Sequence, residues 1–268
     1  MTAKLIALDI DGTTLNSRHE ITKEVKEILQ QKRQEGVHIV LCTGRAQIGV
    51  EHLLEELGFD SDNDYVITFN GALTQTVKSG RILAHHTLDI NDFYTFAQLS
   101  KQLGIHLHTE DQSAIYTFNR DISKYTILEC HLTNMPLKYR TFDEMPTDMV
   151  ISKMMMIDDP KLLNEAIPNI PPKFYEKYEL VKSMPYFFEI LNKRATKGNA
   201  LRELASSLNI HQDEVMAIGD HMNDISMIEY AGISVAMGNA VPEVKEKAKY
   251  ITKTNDENGV AYAIKNWG

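Results

Sequence analysis

Cysteine is scarce in this chain. Cys42 and Cys130 are the two among 268 residues, and their spacing suggests neither a disulfide framework nor a metal knuckle. Cys42 lies in the apolar run "VHIVLCT" and reads as a small buried hydrophobe. No apolar run approaches the ~20 residues needed to span a bilayer. The opening stretch "MTAKLIALDID" is broken by Asp9 too early to hold the apolar core of a signal peptide. A membrane is therefore not an expected partner, and the cytoplasm is the default compartment. Positive charge is in deficit, with 28 Lys and Arg against 37 Asp and Glu and a formal net charge of -9. Binding to a phosphate backbone needs a basic face, so nucleic acid is not an expected partner either. A small anionic substrate stays open, because a local site can oppose the field of the whole molecule. Internal repeats and low-complexity tracts are missing, and nothing in the sequence sets the oligomeric state.

What is present fits a soluble globular protein. The chain is 43% hydrophobic and 24% charged, and it is long enough for one large domain or two ordinary ones. Its first part alternates strand and helix. "KLIALDI" reads as a buried strand. Thr22 can cap a helix running through Gln34, with Ile21, Val25, Ile28 and Leu29 as its apolar stripe and Gly36 as its stop. "VHIVLCT" is the next strand, Ala46 to Leu57 the next helix, and "YVITFN" a third strand. The last part repeats the pattern: helix from Lys197 to Leu208, strand "EVMAIGD", helix from Asn223 to Tyr230, strand "GISVAMG", helix from Glu243 to Ala248, short strand "YITKT", helix from Val260 to Asn266. This order predicts a parallel sheet with right-handed crossovers. Between them, segments such as "IHLHTED", "SAIYTFN" and "VISKMMMID" alternate like half-exposed antiparallel strands, with helical patterns in "NDFYTFAQLSKQLG" and "DPKLLNEAI". The Pro pair in "NIPPKFYEKY" must start a new element. The fold class is therefore α/β: a doubly wound, Rossmann-like parallel-sheet core formed by 1–84 and 194–268, interrupted by an α+β insertion over 85–193. The crossings near 84–87 and 191–195 are candidate hinges.

In an open α/β sheet, ligands gather beyond the C-terminal ends of the strands. There the first strand supplies Asp9 and Asp11, the second Thr43, Gly44 and Arg45, the third Asn70 and Gly71. "EVMAIGD" ends in Gly219 and Asp220, with Asn223 and Asp224 in the next turn and Lys197 opening the helix before it. Asp9, Asp11, Asp220 and Asp224 cannot share a dry cleft without a counter-charge. Lys197 supplies one positive charge; a hard divalent cation with oxygen ligands, Mg2+, suits the remainder. Two residues apart on extended backbone, Asp9 and Asp11 point to the same side. One can attack phosphorus while the other handles a proton. Gly12 allows a sharp turn. Thr43 and Lys197 can hold phosphoryl oxygens, helped by backbone N–H groups near Gly12 and Gly44.

"DIDGT", "LCTGR", "TKG" with Lys197, and "GDHMND" resemble, in this order, the four motifs of the haloacid dehalogenase superfamily. The insertion resembles the type IIB cap, and the whole chain resembles the Cof-type phosphatases, which act on sugar phosphates and related small phosphate esters. The resemblance implies Asp9 as nucleophile and Asp11 as general acid/base. It implies Mg2+ held by the Asp9 carboxylate, the Asp11 backbone carbonyl and Asp220, with Asp224 supporting the metal from close by and Asn223 contacting phosphate. The expected partner is a small phosphorylated metabolite, and the insertion would choose the leaving group. Thr14 stands where close relatives often have Leu, a departure that leaves the catalytic positions untouched.

Plainer readings compete at several positions. Asp9, Asp11 and Glu20 match the first, third and twelfth positions of a calcium loop, but Thr14 stands where that loop needs Gly and a strand precedes it. Thr43 can be a helix cap, Arg45 and Lys197 solvated charges, and "NG" at Asn70 a turn signal. His106 and His108 share a strand face without an evident third ligand, so they read as structure. Met154 to Met156 read as core and surface of one strand. His221 has no assigned role. The motifs do not separate a hydrolase from a phosphotransferase or mutase, in which a sugar hydroxyl replaces water. A non-catalytic phosphometabolite sensor would have lost Asp9, Asp11 or Lys197.

Overall fold

The computed structural model of the protein describes residues 2–268. β1 (Leu5–Leu8) is apolar and wholly buried, as a central parallel strand covered on both faces must be. Thr22 caps α1 (Lys23–Gln34), its hydroxyl accepting from Val25 N at 3.4 Å. β2 (His38–Cys42) pairs parallel to β1. The helix expected from Ala46 to Leu57 is instead a 3-10 turn over Gln47–Gly49 followed by the short α2 (Glu51–Glu56). Gly49 gives the physical reason: a Cβ there would lie 3.1 Å from Thr133 Cα and its carbonyl oxygen. The turn is shaped by that close approach, which apolar periodicity does not report. β3 (Tyr65–Thr68) runs parallel to β2, β4 (Leu73–Thr76) returns antiparallel to β3, and β5 (Ile82–His85) follows.

Asp89 caps α3 (Ile90–Leu103) through a reciprocal capping box with Asp92, and Gly104 ends it in the left-handed region. Then come β6 (Leu107–Glu110), β7 (Ile115–Thr117), α4 (Lys124–Thr133), β8 (Leu137–Tyr139), β9 (Lys153–Ile157), α5 (Pro160–Ala166), α6 (Pro172–Lys177), β10 (Tyr178–Met184) and β11 (Phe187–Asn192). These strands form a six-stranded sheet in the order β10-β11-β9-β6-β7-β8. Every pairing in it is antiparallel except β7 with β8, which α4 connects. One face packs Leu107, Met154, Met156 and Phe188 against Phe93 and Phe96 of α3. The face expected at the surface is covered as well. Met155 is buried in a second cluster with Ile157 and Phe187, against which Tyr125 and Leu128 of α4 pack.

The chain then forms α7 (Lys197–Ser207), β12 (Val215–Gly219), α8 (Ile225–Tyr230), β13 (Ile233–Ala236), α9 (Pro242–Lys247), β14 (Tyr250–Ile251) and α10 (Gly259–Trp267). β12 lies parallel to β1 in the register Leu5 with Val215 and Leu8 with Ile218. The large sheet has the order β14-β13-β12-β1-β2-β3-β4-β5. Successive strands step one way from β1 and the other way from β12. The topological switch point of this doubly wound fold lies between them, where Asp9 and Asp220 follow the strand ends.

The chain divides into two compact units. One holds the residues up to Gly44, His52–Ala84 and Thr196–Gly268; the other holds Arg45–Glu51 and His85–Ala195. Among the described residues, no helix is long and apolar enough to cross a membrane.

Candidate active site

β1 ends at Leu8, and the chain turns through Ile10–Thr14. Gly12 takes φ +80, and a Cβ on it would stand 2.5 Å from Asp220 Oδ2. Glycine is needed here both for the turn and for the close approach. The turn is tied down from three sides. Thr14 Oγ1 donates to the Asp9 carbonyl at 2.6 Å, Thr13 Oγ1 to Asp220 Oδ1 at 2.8 Å, and Asn239 Nδ2 to the Gly12 carbonyl at 2.8 Å.

Lys197 is the first residue of α7, whose start Thr196 caps by accepting from Asn199 N. Its ammonium is 0% exposed and lies 2.5 Å from Asp9 Oδ1 and 2.6 Å from Asp224 Oδ1. Asp224's other oxygen accepts from the backbone N–H groups of Asp220 and His221 at 2.9 and 3.1 Å. Both oxygens of Asp224 are thus engaged. The neighbouring Gly198 N donates to Ser226 Oγ at 3.0 Å, which ties α7 to α8.

The electrostatics follow from three acids and one ammonium in a buried setting. Burial by itself disfavours a charged lysine, but the carboxylates of Asp224 and Asp9 outweigh it and hold Lys197 above the ordinary lysine range. Burial raises the Asp9 carboxyl well above its ordinary value; the Asp224 charge adds to this and Lys197 opposes it. Asp220 is pushed up to about 6, by burial first and the Asp224 charge second, with the Thr13 hydroxyl pulling the other way. Negative charge is in excess here. Among the described residues, the group of three or more side chains able to hold a metal is Asp9, Asp220 and Asp224, with one oxygen from each within 4.8 Å of the others.

Most of the residues singled out from the sequence come together within this unit. Thr43 is buried at the end of β2; its N–H donates to the Ile67 carbonyl at 2.9 Å and its carbonyl accepts from Asn70 N at 2.8 Å. Asn70 Oδ1 accepts from Asn223 Nδ2 at 3.0 Å, and the Asn70 carboxamide lies close over Gly44. Asp11 sits half-buried in the turn after Asp9 and outside the three-carboxylate group. Arg45 belongs to the other unit. His106 Nδ1 is 2.6 Å from Asp158 Oδ2, whereas His108 stands between Thr126 Oγ1 and Glu110 Oε1 at 3.2 and 3.3 Å. The two imidazoles thus have separate partners. The sequence reading passed over Thr13 and Asn239. The signal for Asn239 was present, since "VAMGN" brings it just past the end of β13 on the same sheet edge.

A family profile described as haloacid dehalogenase-like hydrolase matches residues 6–264. The chain belongs to this family, and it is a phosphatase. It is 49% identical to the protein YxeH of Bacillus subtilis over 261 residues, which cover 97% of each chain. It is 32% identical over 265 residues to the 5-amino-6-(5-phospho-D-ribitylamino)uracil phosphatase YcsE of the same organism, covering 98% of this chain and 95% of that one. Among solved structures it is similar to the subclass IIB sugar phosphatase BT4131, with a TM-score of 0.80, 26% identity and 99% of each chain covered.

Proposed function

We propose that this phosphatase is Mg2+-dependent and hydrolyses small phosphate monoesters, sugar phosphates first among them, through an aspartyl-phosphate on Asp9. The observation that carries the reading is the buried Lys197 ammonium held between Asp9 and Asp224, with Asp220 against the Gly12 turn.

The donor set fits a hard divalent cation. Asp9 and Asp220 are oxygen donors, Lys197 leaves their charge under-neutralised, and both carboxyls are raised, by burial first and by the Asp224 charge second. The Asp9 carboxylate, the Asp11 carbonyl and Asp220 would hold the ion. Asp224, with both oxygens already bonded, supports from behind. When bound, Mg2+ supplies counter-charge and orients a phosphate oxygen.

The side chains carry the steps. Asp9 attacks phosphorus and the bond from phosphorus to the ester oxygen breaks. Asp11 gives its proton to that leaving oxygen. Asp11, now ionised, takes a proton from water as the water oxygen attacks phosphorus. The Asp9 carboxylate departs and inorganic phosphate is released. Lys197, the Thr43 hydroxyl, Asn223 and backbone N–H groups at Gly12 and Gly44 hold the phosphoryl oxygens, where charge spreads in the transition state. The Lys197 charge also favours the ionised, nucleophilic form of Asp9, against the burial that raises it.

The inserted stretch, 85–193, chooses the leaving group in this reading, and Arg45 is a further candidate for direct substrate contact, with Asn70 able to act through the Asn223 amide it holds. Two relatives support a phosphorylated polyol or sugar, since one is named for a phosphoribityl substrate and the other for sugar phosphates. The test is a panel of sugar phosphates, phosphorylated polyols and nucleotides assayed with Mg2+ and with EDTA. Turnover should require the metal and favour the sugar and polyol esters. Undiminished turnover in EDTA would remove the metal from the reading, and preference for nucleotides would remove the substrate class.

A further inference from the structure

Three consecutive residues after β3 occupy the left-handed region: Phe69 at φ +50, Asn70 at +53 and Gly71 at +98. Asn and Gly tolerate this conformation, but a bulky aromatic residue does not adopt it without support. Such backbone strain persists only where surrounding contacts over-determine it, and it clusters at functional sites. The contacts here are specific. Asn70 N donates to the Thr43 carbonyl at 2.8 Å, and Ala72 N closes the turn on the Phe69 carbonyl at 3.0 Å. At Gly71 a Cβ would fall 2.3 Å from the Thr196 carbonyl oxygen and 2.8 Å from Lys197 N. At Gly44 a Cβ would press on the Asn70 carboxamide at 3.1 Å. Asn70 is 3% exposed, and its Oδ1 accepts from Asn223 Nδ2 at 3.0 Å.

One strained turn therefore touches three segments that approach the phosphate in the reading above: Thr43–Gly44, the start of α7 at Lys197, and Asn223. We infer that Asn70 is a positioning residue for phosphate binding. Its backbone N–H fixes the Thr43 loop, and its carboxamide oxygen fixes the orientation of the Asn223 amide. A carboxamide nitrogen carries two hydrogens; Asn70 accepts one of them and leaves the other for a phosphoryl oxygen. Asn70 then acts through Asn223 and makes no substrate contact of its own. This inference rests on the phosphate-binding role proposed for Asn223.

A double-mutant cycle tests it, with kcat/KM for a phosphate ester and inhibition by inorganic phosphate as readouts. Asn70→Gly keeps the left-handed backbone and removes only the side chain. Asn223→Ala should lower kcat/KM and weaken phosphate inhibition about tenfold, Asn70→Gly should do nearly the same, and the double variant should be no worse than Asn223→Ala alone. A wild-type-like Asn70→Gly overturns the inference while leaving the role of Asn223 intact. So does a double variant in which the two losses multiply, since a merely structural effect or a direct substrate contact would be additive. A wild-type-like Asn223→Ala overturns both. If Asn70→Gly does not fold, Asn70→Asp, which keeps the left-handed preference, goes through the same cycle. Its effect too must shrink once Asn223 is alanine, and an undiminished effect overturns the inference.

Discussion

Lys197 and Asp9 are 188 positions apart in the chain, yet their ammonium and carboxylate stand 2.5 Å from one another in a buried setting. They meet because β12 lies beside β1 and α7 precedes β12, which brings the start of that helix to the carboxyl end of the first strand.

Removing that ammonium should therefore hurt twice. Lys197→Ala leaves Asp9 and Asp224 facing each other without their cation. Breaking a buried ion pair from one side destabilises by about 3–5 kcal/mol, and a loss of this size should appear in urea unfolding of the metal-free protein. Turnover should fall by about a hundredfold or more, as expected for losing a main holder of transition-state charge.

Metal-free stability should decline with rising pH in the acid range. Asp220 in the folded protein titrates at about 6, above the ~3.9 of an unfolded aspartate. Between those values the folded state holds the proton more tightly. The stabilisation is full below about 4 and is lost as pH rises through about 6. Asp9, also raised, acts in the same direction. Urea midpoints in EDTA, taken from pH 4 to 7 for the wild type and Asp220→Asn, should differ in slope, with the asparagine variant losing less stability on the way up.

Mg2+ should reverse that loss, because an ion binding the ionised carboxylates favours the native state. The melting temperature should rise on adding Mg2+ at neutral pH. Apparent affinity should weaken towards tenfold per pH unit below about 6, as protons compete for Asp220. Asp220→Ala should raise the half-saturating Mg2+ concentration about tenfold or more in a kinetic titration.

Gly12→Ala should fold but turn over slowly. The added methyl meets Asp220 Oδ2 at 2.5 Å, and the backbone must hold φ +80. Strain of this kind costs about 1–2 kcal/mol, which a thermal melt should register as a modest downward shift. The displaced Asp220 should reduce kcat/KM by about a hundredfold.

The parallel core was legible because its strands are short apolar runs punctuated by caps and glycines: Leu5–Leu8, Thr22 and Gly36 each carry a local signal. The acidic residues were legible because they stand at strand ends, where a doubly wound sheet places its ligands. Other parts depend on contacts that no local pattern encodes. The segment 46–57 has helical periodicity, but Gly49 runs against the backbone of Thr133 and the helix is broken. Helix α4 was missed because its apolar residues are spread around it, with Ile127 and Leu132 exposed while Glu129 is buried against Lys153 at 3.2 Å. The hairpin of β10 and β11 was passed over: β10 is a partly buried edge strand that pairs with β11 alone, and β11 pairs on its other side with β9, distant in sequence. Asn70 read as a turn signal or a substrate contact, and its bond to Asn223 emerges only once β3 and β12 share a sheet.

The most direct measurement traps the phosphoryl group on the enzyme. The protein is mixed with a slowly turned-over phosphate ester and Mg2+, quenched in acid, reduced with borohydride and mapped by mass spectrometry. Reduction of an acyl phosphate at Asp9 to the corresponding alcohol, absent in Asp9→Asn and in enzyme without substrate, is the result expected. Full turnover by Asp9→Asn, or a trapped phosphoryl group on any other side chain, would contradict it.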